Sequence, residues 1–558
     1  MALAGLRTNR RDPDDVDEGA APVDGFDTLL DSGLGSWPAR RARIDPDATA
    51  LSQGGRERTY RELAVRTEQL AAGLAGLGVA RGDRVAYLGL NDLAALELLF
   101  ACGRAGAVFV PLNVRLVARE LAFALSDSGT EVLVVGPGVD AVAAAVLAED
   151  VPLRTVLTLG PVTGVEGRLL EDLLTDGAGG GQHPTARGAC GEDPAVLLYT
   201  SGTTGRPKGA VLTHGNLTWN TLNQLTHLDV SRRERALCTA PLFHAVGLGQ
   251  ITLPTLLKGG RVEVLPRFDA AGLLRTVEEF RATSFAVVPT MLQMMVDHPA
   301  WSAADLSSLR TVVYGGSAVV ERVARAWRER GVEVVQGYGM TEAAPGVFME
   351  TPADGRGRPT SVGAPHFFVD VAAVGADGRP VPLDPTTTPS ELLVRGPNVF
   401  AGYWDRPAET ADAFTGEAGD WYRTGDVVDV DEQGRVRVVD RLKDLFISGG
   451  ENVYPAEVEA VIASLPGVAT TALVAVADER WGEVGAAYVT ALEGATLDPD
   501  DLREQLRTRI AAYKVPRWVF CVDELPMGGT GKVRRVDLRQ RAAADVAALL
   551  AARQGVAP

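Results

Sequence analysis

The sequence predicts an α/β protein with a large N-terminal domain of layered, mostly parallel sheets that includes a β-rich subdomain, followed by a small, mobile α+β C-terminal domain. The chain has 558 residues, more than one hydrophobic core usually organises, and 46% of them are hydrophobic. From about residue 80, short β-branched runs alternate with amphipathic helical segments, which is typical of parallel α/β layers. After about residue 365, short strands with turn signals replace that alternation.

The first part of the chain supplies the alternating elements. We expect a strand over 84–88, a helix over 92–102 and a strand over 107–110. The pattern returns in strands over 285–288, 311–314 and 332–336. The last two runs each end in a glycine turn, where parallel sheets usually place ligand-binding loops.

The C-terminal part has helix and strand signals of its own. A helix is expected to begin at Pro455 and another at Asp498, with strands over 469–476 and 485–491 between them. A domain boundary is predicted near 440–443. The predicted organisation is a disordered lead-in over 1–25, an N-terminal domain over 26–441, a mobile C-terminal domain over 442–545 and a tail over 546–558.

Composition excludes several classes of protein. A formal net charge of -17 argues against a broad nucleic-acid interface, which requires clustered Lys and Arg. The four cysteines include no CxxC pair, so neither a zinc site nor a disulfide framework is expected. The most apolar long window, 93–112, is interrupted by Glu97 and Arg104, so no membrane span is expected. Because no disulfide framework is expected, the reducing cytoplasm is the expected compartment, and no apolar segment that could act as a signal peptide is visible near the N-terminus.

The most informative segment is 199–209, which reads YTSGTTGRPKG and follows an apolar strand over 195–198. Its three glycines let successive N–H groups point at one anion, and four hydroxyls and Lys208 add donors and charge. This suits a triphosphate tail. Lys208 follows proline and precedes glycine, so the segment is not a Walker P-loop. The alternative is a flexible Ser/Thr/Gly linker.

Four further segments combine glycine with polar side chains, each with a simpler alternative. Residues 315–317 and 336–342 follow strands and could be tight turns. Asp426, in the segment 421–426, could be a solvated surface carboxylate. Lys532 ends a glycine-rich stretch and could be a mobile surface lysine.

These segments together resemble the acyl-adenylate-forming superfamily, which includes acyl-CoA synthetases, luciferases and the adenylation domains of peptide synthetases. Residues 199–209 are similar to its phosphate-loop signature, and further matching motifs lie between Thr59 and Lys532. The resemblance therefore covers nearly all of the chain except about the first 25 residues. The resemblance implies an ATP-dependent carboxylate–CoA ligase. Such an enzyme forms acyl-AMP and pyrophosphate, then acyl-CoA and AMP.

The resemblance also implies four catalytic residues. Lys532 would enter the site during adenylation and bridge the carboxylate and the α-phosphate, offsetting the charge that builds as pyrophosphate leaves. Glu342 would ligate Mg²⁺, which prefers hard oxygen ligands. Thr341 and Lys208 would contact the phosphates.

Binding roles follow from the same resemblance. Tyr338 would stack on adenine, Asp426 and Arg441 would bind the ribose, and Lys443 would be the hinge about which the small domain rotates. The turn after 446 would lie against the pantetheine arm of coenzyme A. The expected ATP and CoA contacts are Thr200, Ser201, Gly202, Thr203, Thr204, Gly205, Lys208, Gly315, Gly316, Ser317, Gln336, Gly337, Tyr338, Thr341, Asp426, Arg441, Lys443, Ser448, Gly449 and Gly450.

The acid is expected to be fatty or aryl. His244 stands where amino-acid-activating relatives carry an aspartate, which disfavours an amino-acid substrate, although a lone histidine could equally be a satisfied core residue. The expected acyl pocket is mainly apolar and comprises His244, Val246, Gly247, Val288, Thr290 and Gly315.

Rival functions share the nucleotide motifs. An acyl-AMP ligase that loads a free-standing carrier protein is the main alternative, and a luciferase-like oxygenase is another. A catalytically silent nucleotide-binding scaffold would be expected to have lost Glu342 or Lys532, and both are present. The expected partners are the acid and CoA. The oligomeric state is open, with a homodimer as the candidate.

Overall fold

The computed structural model describes residues 33–177, 189–200, 207–315, 321–350, 361–388, 390–441, 446–492, 494–526, 533 and 535–553. Its strands are β1 Thr49–Gln53, β2 Arg56–Thr59, β3 Arg84–Leu88, β4 Val108–Leu112, β5 Val132–Val135, β6 Thr155–Thr158, β7 Arg168–Leu169, β8 Pro194–Thr200, β9 Lys208–Thr213, β10 Arg235–Cys238, β11 Arg261–Val264, β12 Ser284–Val287, β13 Thr311–Gly315, β14 Glu333–Gly339, β15 Gly346–Met349, β16 Ala364–Pro365, β17 Asp370–Val374, β18 Pro380–Val381, β19 Ser390–Arg395, β20 Gly402–Tyr403, β21 Phe414–Thr415, β22 Trp421–Val430, β23 Val436–Arg441, β24 Phe446–Ser448, β25 Glu451–Val453, β26 Val468–Asp478, β27 Gly482–Ala491 and β28 Trp518–Cys521.

The α-helices are α1 Trp37–Ala42, α2 Tyr60–Gly76, α3 Leu93–Ala105, α4 Ala118–Ser128, α5 Asp140–Leu147, α6 Asp172–Gly177, α7 His214–His227, α8 Ala245–Gly249, α9 Thr252–Lys258, α10 Ala270–Phe280, α11 Pro289–Val296, α12 Glu321–Glu329, α13 Pro407–Asp412, α14 Pro455–Ala463, α15 Pro499–Arg507 and α16 Arg535–Arg553. Short 3-10 turns lie at Leu34–Ser36, Pro299–Ser302 and Thr341–Ala343.

Two large sheets form the N-terminal part of the molecule. One has the order β16-β15-β14-β13-β12-β10-β11-β1-β2, and its strands from β14 to β1 are parallel. The other has the order β20-β9-β8-β4-β3-β5-β6-β7 and is parallel from β8 to β7. Helix α3 is buried along nearly its whole length in the core that joins them, which explains its almost continuous apolar sequence.

Two smaller sheets complete the fold. An antiparallel sheet of β17, β18, β19, β21, β22 and β23 is built from residues after 365. The last sheet has the order β25-β24-β27-β26, with β28 parallel to β27, and α14, α15 and α16 accompany it. The predicted α/β fold, with a large parallel-sheet N-terminal part and a smaller C-terminal part, is confirmed.

Local sequence signals account for several element ends. Thr59 accepts a hydrogen bond from the Glu62 backbone, and Glu62 accepts one from the Thr59 backbone, so a capping box begins α2. Asp92 caps α3, which ends at Gly106 in the left-handed conformation. Asp498 caps α15, as its position before proline predicts.

Helix α16 crosses residue 546, where the C-terminal tail is expected to begin, and ends at Arg553. Leu538, Ala542 and Val546 recur every four residues and are buried against the last sheet. The Tyr488 hydroxyl also donates to Asp545 at 2.6 Å. None of the helices in the described part of the chain has the length and apolar character needed to cross a bilayer.

Candidate active site

The predicted site residues gather at the carboxyl ends of the parallel strands of the nine-stranded sheet. His244 follows β10, Val288 follows β12, and Gly315 ends β13. Gly337 and Tyr338 lie at the end of β14, and Gly315 is paired with Gly337 across the two strands. Because these strands are neighbours, loops far apart in sequence meet at one edge.

Two of the residues predicted to contact the nucleotide, Tyr338 and Asp426, lie in hydrogen-bond contact. The Tyr338 hydroxyl donates to Asp426 Oδ2 at 2.6 Å, and Asp426 is only 2% exposed. Asp426 is also the strand partner of Arg441 across β22 and β23. The turn before Asp426 is held by Glu391, which accepts from the backbone of Gly425 at 3.1 Å.

The predicted phosphate-side residues Lys208 and Glu342 meet around Tyr403, a residue that sequence reasoning missed. The Tyr403 hydroxyl donates to Glu342 Oε1 at 3.0 Å, and the Lys208 ammonium lies 5.2 Å from the centre of the same ring. Burial, followed by the negative charge of Glu342, raises the pKa of Tyr403 well above its ordinary value. Tyr403 therefore stays a neutral donor to the carboxylate.

The predicted phosphate loop connects two antiparallel strands. Thr200 ends β8 and pairs with Lys208, the first residue of β9, so the seven residues 201–207 connect the two strands. A Walker loop connects a strand to a helix, so this topology agrees with the exclusion of a P-loop. The short strand β20 pairs with β9, which places Tyr403 opposite Ala210, two residues after Lys208.

The ends of β13 and β14 are built for close backbone approach. A side chain at Gly315 would come within 2.9 Å of the Gly337 carbonyl, and one at Gly339 within 1.6 Å of the Pro345 carbonyl. Gln336 is buried, and its side-chain oxygen accepts from the Tyr314 hydroxyl at 3.1 Å. Thr341 begins the 3-10 turn that carries Glu342.

The turn Ser448–Glu451 of the C-terminal sheet lies on the N-terminal site. Gly449 and Gly450 both have positive φ, 60° and 85°, as a tight two-residue hairpin requires. A methyl group on Gly450 would lie 2.9 Å from Val288 Cγ2. Gly450 therefore satisfies both a turn conformation and close packing against the N-terminal sheets.

Glu451 joins this turn to the N-terminal sheets. His244 Nε2 lies 3.0 Å from Glu451 Oε2, and the Arg115 guanidinium pairs with the same carboxylate. Burial raises the pKa of Glu451, but the charges of His244 and Arg115 outweigh it and hold the pKa below its ordinary value.

A second charged contact crosses between the two parts of the molecule. The Lys514 ammonium donates to Glu120 at 2.8 Å and to Glu457 at 2.6 Å, and it is 3% exposed. Burial lowers the pKa of Lys514, but the two carboxylates outweigh it and raise the pKa above its ordinary value. Glu120 belongs to α4, whereas Lys514 and Glu457 belong to the C-terminal part.

A narrow cavity of about 40 Å³ extends from the strand ends into the nine-stranded sheet. It is lined by Val246, Gln250, Ala286, Val287, Val313, Tyr314, Gly315, Gly337, Tyr338, Gly339, Pro345, Gly346, Phe348 and His366. Ligand pockets usually measure about 300–1,000 Å³, so side chains lining this slot must move when an acid enters.

The predicted acyl pocket agrees only in part with this cavity. Val246 and Gly315 line it. Gly247 does not, because its Cα packs on the Pro241 carbonyl, where a methyl group would lie 2.2 Å away. His244 points to Glu451, and Val288 lies under Gly450, so both face the C-terminal turn instead.

Several predicted residues lie outside the described part of the chain. These are Ser201, Gly202, Thr203, Thr204, Gly205, Gly316, Ser317, Lys443 and Lys532, together with the side chains of Thr290 and Arg441. The disordered lead-in predicted over 1–25 also lies outside it.

The described residues contain no group of three or more His, Cys, Asp or Glu side chains able to hold a metal ion. A single carboxylate, Glu342, nevertheless fits Mg²⁺ that arrives with a nucleotide, because such Mg²⁺ uses one or two carboxylates plus phosphate oxygens. The Tyr403 hydroxyl occupies one position on Glu342 Oε1 and orients the carboxylate.

The residues that sequence reasoning missed are those whose partners lie far along the chain. Arg115 and Glu451 are 336 positions apart, and Lys514 and Glu120 are 394 apart. Tyr403 had a weak signal, an aromatic residue in a glycine turn. His366 had none.

Comparison with known proteins identifies the family. A model described as AMP-binding enzyme matches residues 38–404, and one described as AMP-binding enzyme C-terminal domain matches residues 457–532. The chain is 49% identical over 513 residues to a feruloyl-CoA synthase of Amycolatopsis sp, covering 92% of this chain and 100% of that protein. It is 41% identical to an indoleacetate–CoA ligase of Aromatoleum aromaticum, covering 91% of this chain and 98% of the relative.

Solved structures of one enzyme in two states also match. A double mutant of o-succinylbenzoate CoA synthetase (MenE) from Bacillus subtilis, bound with its product analogue OSB-NCoA, gives a TM-score of 0.79 at 29% identity, covering 91% of this chain and 98% of that chain. The same enzyme in complex with the acyl-adenylate intermediate OSB-AMP gives 0.64 at 28% identity, covering 90% and 97%. The whole-chain arrangement is thus more similar to the complex with the product analogue than to the complex with the acyl-adenylate.

The chain belongs to the AMP-binding enzyme family, as an ATP-dependent carboxylate–CoA ligase that acts through an acyl-AMP intermediate.

Proposed function

We propose that this ligase activates an aryl carboxylic acid with a short side chain. The observation that carries the proposal is the shape of the slot, four of whose lining residues are the glycines Gly315, Gly337, Gly339 and Gly346. Glycines expose flat peptide walls, and a planar ring fits between flat walls better than a branched or coiled chain does. The similarity to a feruloyl-CoA synthase and an indoleacetate–CoA ligase supports the same substrate class.

Adenylation would use the nucleotide side of the site. Two anions must meet in this step, so positive charge has to be present at the phosphates and the carboxylate has to be placed in line. Lys208 would hold the terminal phosphates from the start of β9, and Lys532 would bridge the carboxylate and the α-phosphate. Asp426 and Tyr338 would fix the ribose and adenine. Mg²⁺ bound with the nucleotide at Glu342 would neutralise charge on the leaving pyrophosphate.

Thioester formation would use the domain arrangement of this structure. The turn Ser448–Glu451 lies on Val288 and His244, beside the end of the slot where the acyl carbon would be presented. We propose that rotation about Lys443 exchanges this turn for the segment that carries Lys532, so that one active site serves both half-reactions.

A thioester screen tests the aryl assignment. Purified enzyme with ATP, Mg²⁺ and CoA would be offered cinnamic, phenylacetic, indoleacetic, octanoic and palmitic acids, with AMP and acyl-CoA measured together. We expect kcat/KM for the best aryl acid to exceed that for the best fatty acid by at least about 10-fold, since each poorly accommodated methylene group costs roughly 1–3 kcal/mol. Equal or better use of the fatty acids would contradict the proposal.

The identity of the acyl acceptor is tested in the same assay. CoA would be replaced by a phosphopantetheinylated carrier protein in one arm and by an amine in another. We expect CoA to be preferred, because Arg115, His244 and Glu451 fix the turn at the place where a pantetheine thiol would arrive. Preferential loading of the carrier protein would favour the acyl-AMP ligase alternative.

We further propose a cytoplasmic enzyme that forms a homodimer. Fractionation of the native host and size-exclusion chromatography with light scattering would test the two statements separately. A monomer at micromolar concentration would refute the second.

A further inference from the structure

A buried polar cluster borders the otherwise apolar slot. Asn220, Asn223 and Gln224 on the inner face of α7 are each 0% exposed, and His366 beside them is 2% exposed. Burying unneeded polar groups costs free energy, and apolar residues would fill the same space at no such cost. His366 and Gln250 from this region also line the slot.

The cluster forms one directional chain of hydrogen bonds. Gln250 Nε2 donates to Gln224 Oε1 at 2.8 Å, which leaves the Gln224 amide nitrogen as the donor toward His366 Nε2 at 3.3 Å. His366 Nε2 is then the acceptor, so its proton lies on Nδ1 and is donated to His227 Nδ1 at 2.7 Å. Gln224 and His227 therefore fix the tautomer and the orientation of the His366 ring.

The hydrogen bond between Gln224 and His366 is longer than the other two, from Gln250 to Gln224 and from His366 to His227. At 3.3 Å it lies beyond the usual N–H donor distance of about 2.9–3.0 Å, and the second contact of the same amide nitrogen, to Asn220, is 3.4 Å. A hydroxyl group could donate to His366 and accept from Gln224, and so improve both bonds.

Gly346 keeps the space beside these two nitrogens open. A methyl group there would lie 2.7 Å from Gln224 Nε2 and 2.7 Å from His366 Nε2. Gly346 is a strand residue without positive φ, so the backbone does not demand glycine at this position. Glycine is needed at this position because any side chain would fill the space where the slot meets the polar cluster.

The cluster suits a neutral ligand group. Burial and the neighbouring His227 lower the pKa of His366 to about 3, and burial also lowers the pKa of His227. Both rings are therefore uncharged at neutral pH. An uncharged acceptor recognises a hydroxyl group and offers no counter-charge to a second carboxylate.

We propose that His366 accepts a hydrogen bond from a phenolic hydroxyl on the aromatic ring of the acid, with the Gln224 amide as the matching donor. This assignment rests on the proposed function and narrows it to hydroxylated aryl acids. Gln224 and His227 act through His366 as positioning residues, and Gly346 leaves room for the ring substituent. An unsubstituted ring would cover the cluster and leave His366 and Gln224 with only their long mutual contact, which costs more than the absence of a new contact alone.

Matched substrates test the proposal without any variant. Cinnamic acid and its 2-, 3- and 4-hydroxy derivatives differ only by one oxygen, and kcat/KM for thioester formation would be measured for each. We expect one hydroxylated isomer to exceed cinnamic acid by roughly 10- to 100-fold, the range that follows from leaving a buried polar group unpaired. Equal values for all four acids would overturn the role of His366 and leave the aryl assignment intact. No thioester from any of the four, with turnover of fatty acids, would instead refute the proposed function.

Variants then locate the effect. His366→Leu should bring the ratio between the preferred isomer and cinnamic acid close to 1, and Gly346→Ala should lower it by crowding the substituent. His298→Leu is the matched control, because His298 caps a 3-10 turn outside the slot lining and should leave the ratio unchanged. Thermal unfolding would check that each variant folds. A folded His366→Leu enzyme that keeps the wild-type ratio would overturn the proposal.

Discussion

At the scale of single residues, four of the few lysines in the chain lie in predicted site motifs or in a buried ionic contact. It has five lysines, against 55 Lys and Arg together. Three of them, Lys208, Lys443 and Lys532, were predicted from motifs, and a fourth, Lys514, is buried between two carboxylates. A compact ammonium can serve two carboxylates in a small space where a planar guanidinium would need more room.

Glu451 is the residue at which the C-terminal turn meets the N-terminal site. Replacing it by glutamine removes the charge that pairs with His244 and Arg115. We expect Glu451→Gln to slow acyl transfer from supplied acyl-AMP to CoA by about 10-fold or more, since breaking a buried charged pair costs up to roughly 3–5 kcal/mol and about 1.4 kcal/mol already corresponds to 10-fold. Acid-dependent pyrophosphate release should change little. The control is Glu479→Gln, at an exposed position of the same domain.

The pH dependence of this contact follows from the lowered pKa of Glu451. A carboxyl group whose pKa falls on docking stabilises the docked arrangement above its ordinary pKa of about 4.3, and this contribution is lost as the pH falls through the lowered value. From pH 8 to pH 5, protonation of Glu451 should therefore not limit acyl transfer. An acid limb centred above pH 6 that disappears in Glu451→Gln would contradict this result.

At the scale of elements, the hairpin between β24 and β25 is shaped by two requirements at once. Gly449 and Gly450 have positive φ, and Gly450 also lies against Val288. The first requirement belongs to the turn alone. The second exists only when the turn is docked on the N-terminal sheets.

Alanine substitutions separate these two requirements. Gly450→Ala adds the backbone strain of positive φ, roughly 1 kcal/mol, and a methyl group 2.9 Å from Val288 Cγ2. Gly494→Ala adds similar strain in the same domain at φ +77°, where nothing lies within 4 Å. We expect both to lower stability similarly, but only Gly450→Ala to reduce acyl transfer, by about 10-fold. Single-turnover measurements of both half-reactions give the comparison, and equal transfer rates in the two variants would refute the docking role.

The helices and strands could be predicted from the sequence because the signals for them are local. Hydrophobic alternation predicts β13 and β14, and the glycines that follow predict Gly315 and Gly337 at a ligand-binding edge. The continuation of α16 past residue 546 was not predicted, because its apolar stripe is diluted by alanine. The partners of Glu451 and Lys514 could not be predicted, because they lie in another domain and no pattern of period 2 or 3.6 connects them.

At the scale of the whole molecule, we propose that the arrangement of the two parts seen here is the one that serves thioester formation. Glu451 and Lys514 each connect the C-terminal sheet to the N-terminal sheets, through Arg115 and Glu120 respectively. Greater similarity to the product-analogue complex of a relative than to its acyl-adenylate complex agrees with this. Both contacts must break if the small domain rotates to deliver Lys532.

Removing the Lys514 ammonium should weaken this arrangement. Lys514→Met leaves Glu120 and Glu457 buried without their common partner, and we expect acyl transfer to fall about 10-fold or more. The double variant Lys514→Met/Glu457→Gln should recover part of the loss, because one of the two like charges is gone. Lys258→Met, at a helix end, is the control. Additive losses in the double variant would contradict the pairing.

The two half-reactions of Lys532→Ala give the most direct test of the central claim, that one site is used by two faces of the C-terminal domain in turn. Acid-dependent exchange of pyrophosphate into ATP should be lost, because the proposed role of Lys532 is to supply positive charge at the carboxylate and the α-phosphate only during adenylation. Acyl transfer to CoA from supplied acyl-AMP should be largely retained, because the turn Ser448–Glu451 is then docked on Val288 and His244. Loss of both activities to the same extent would contradict the account.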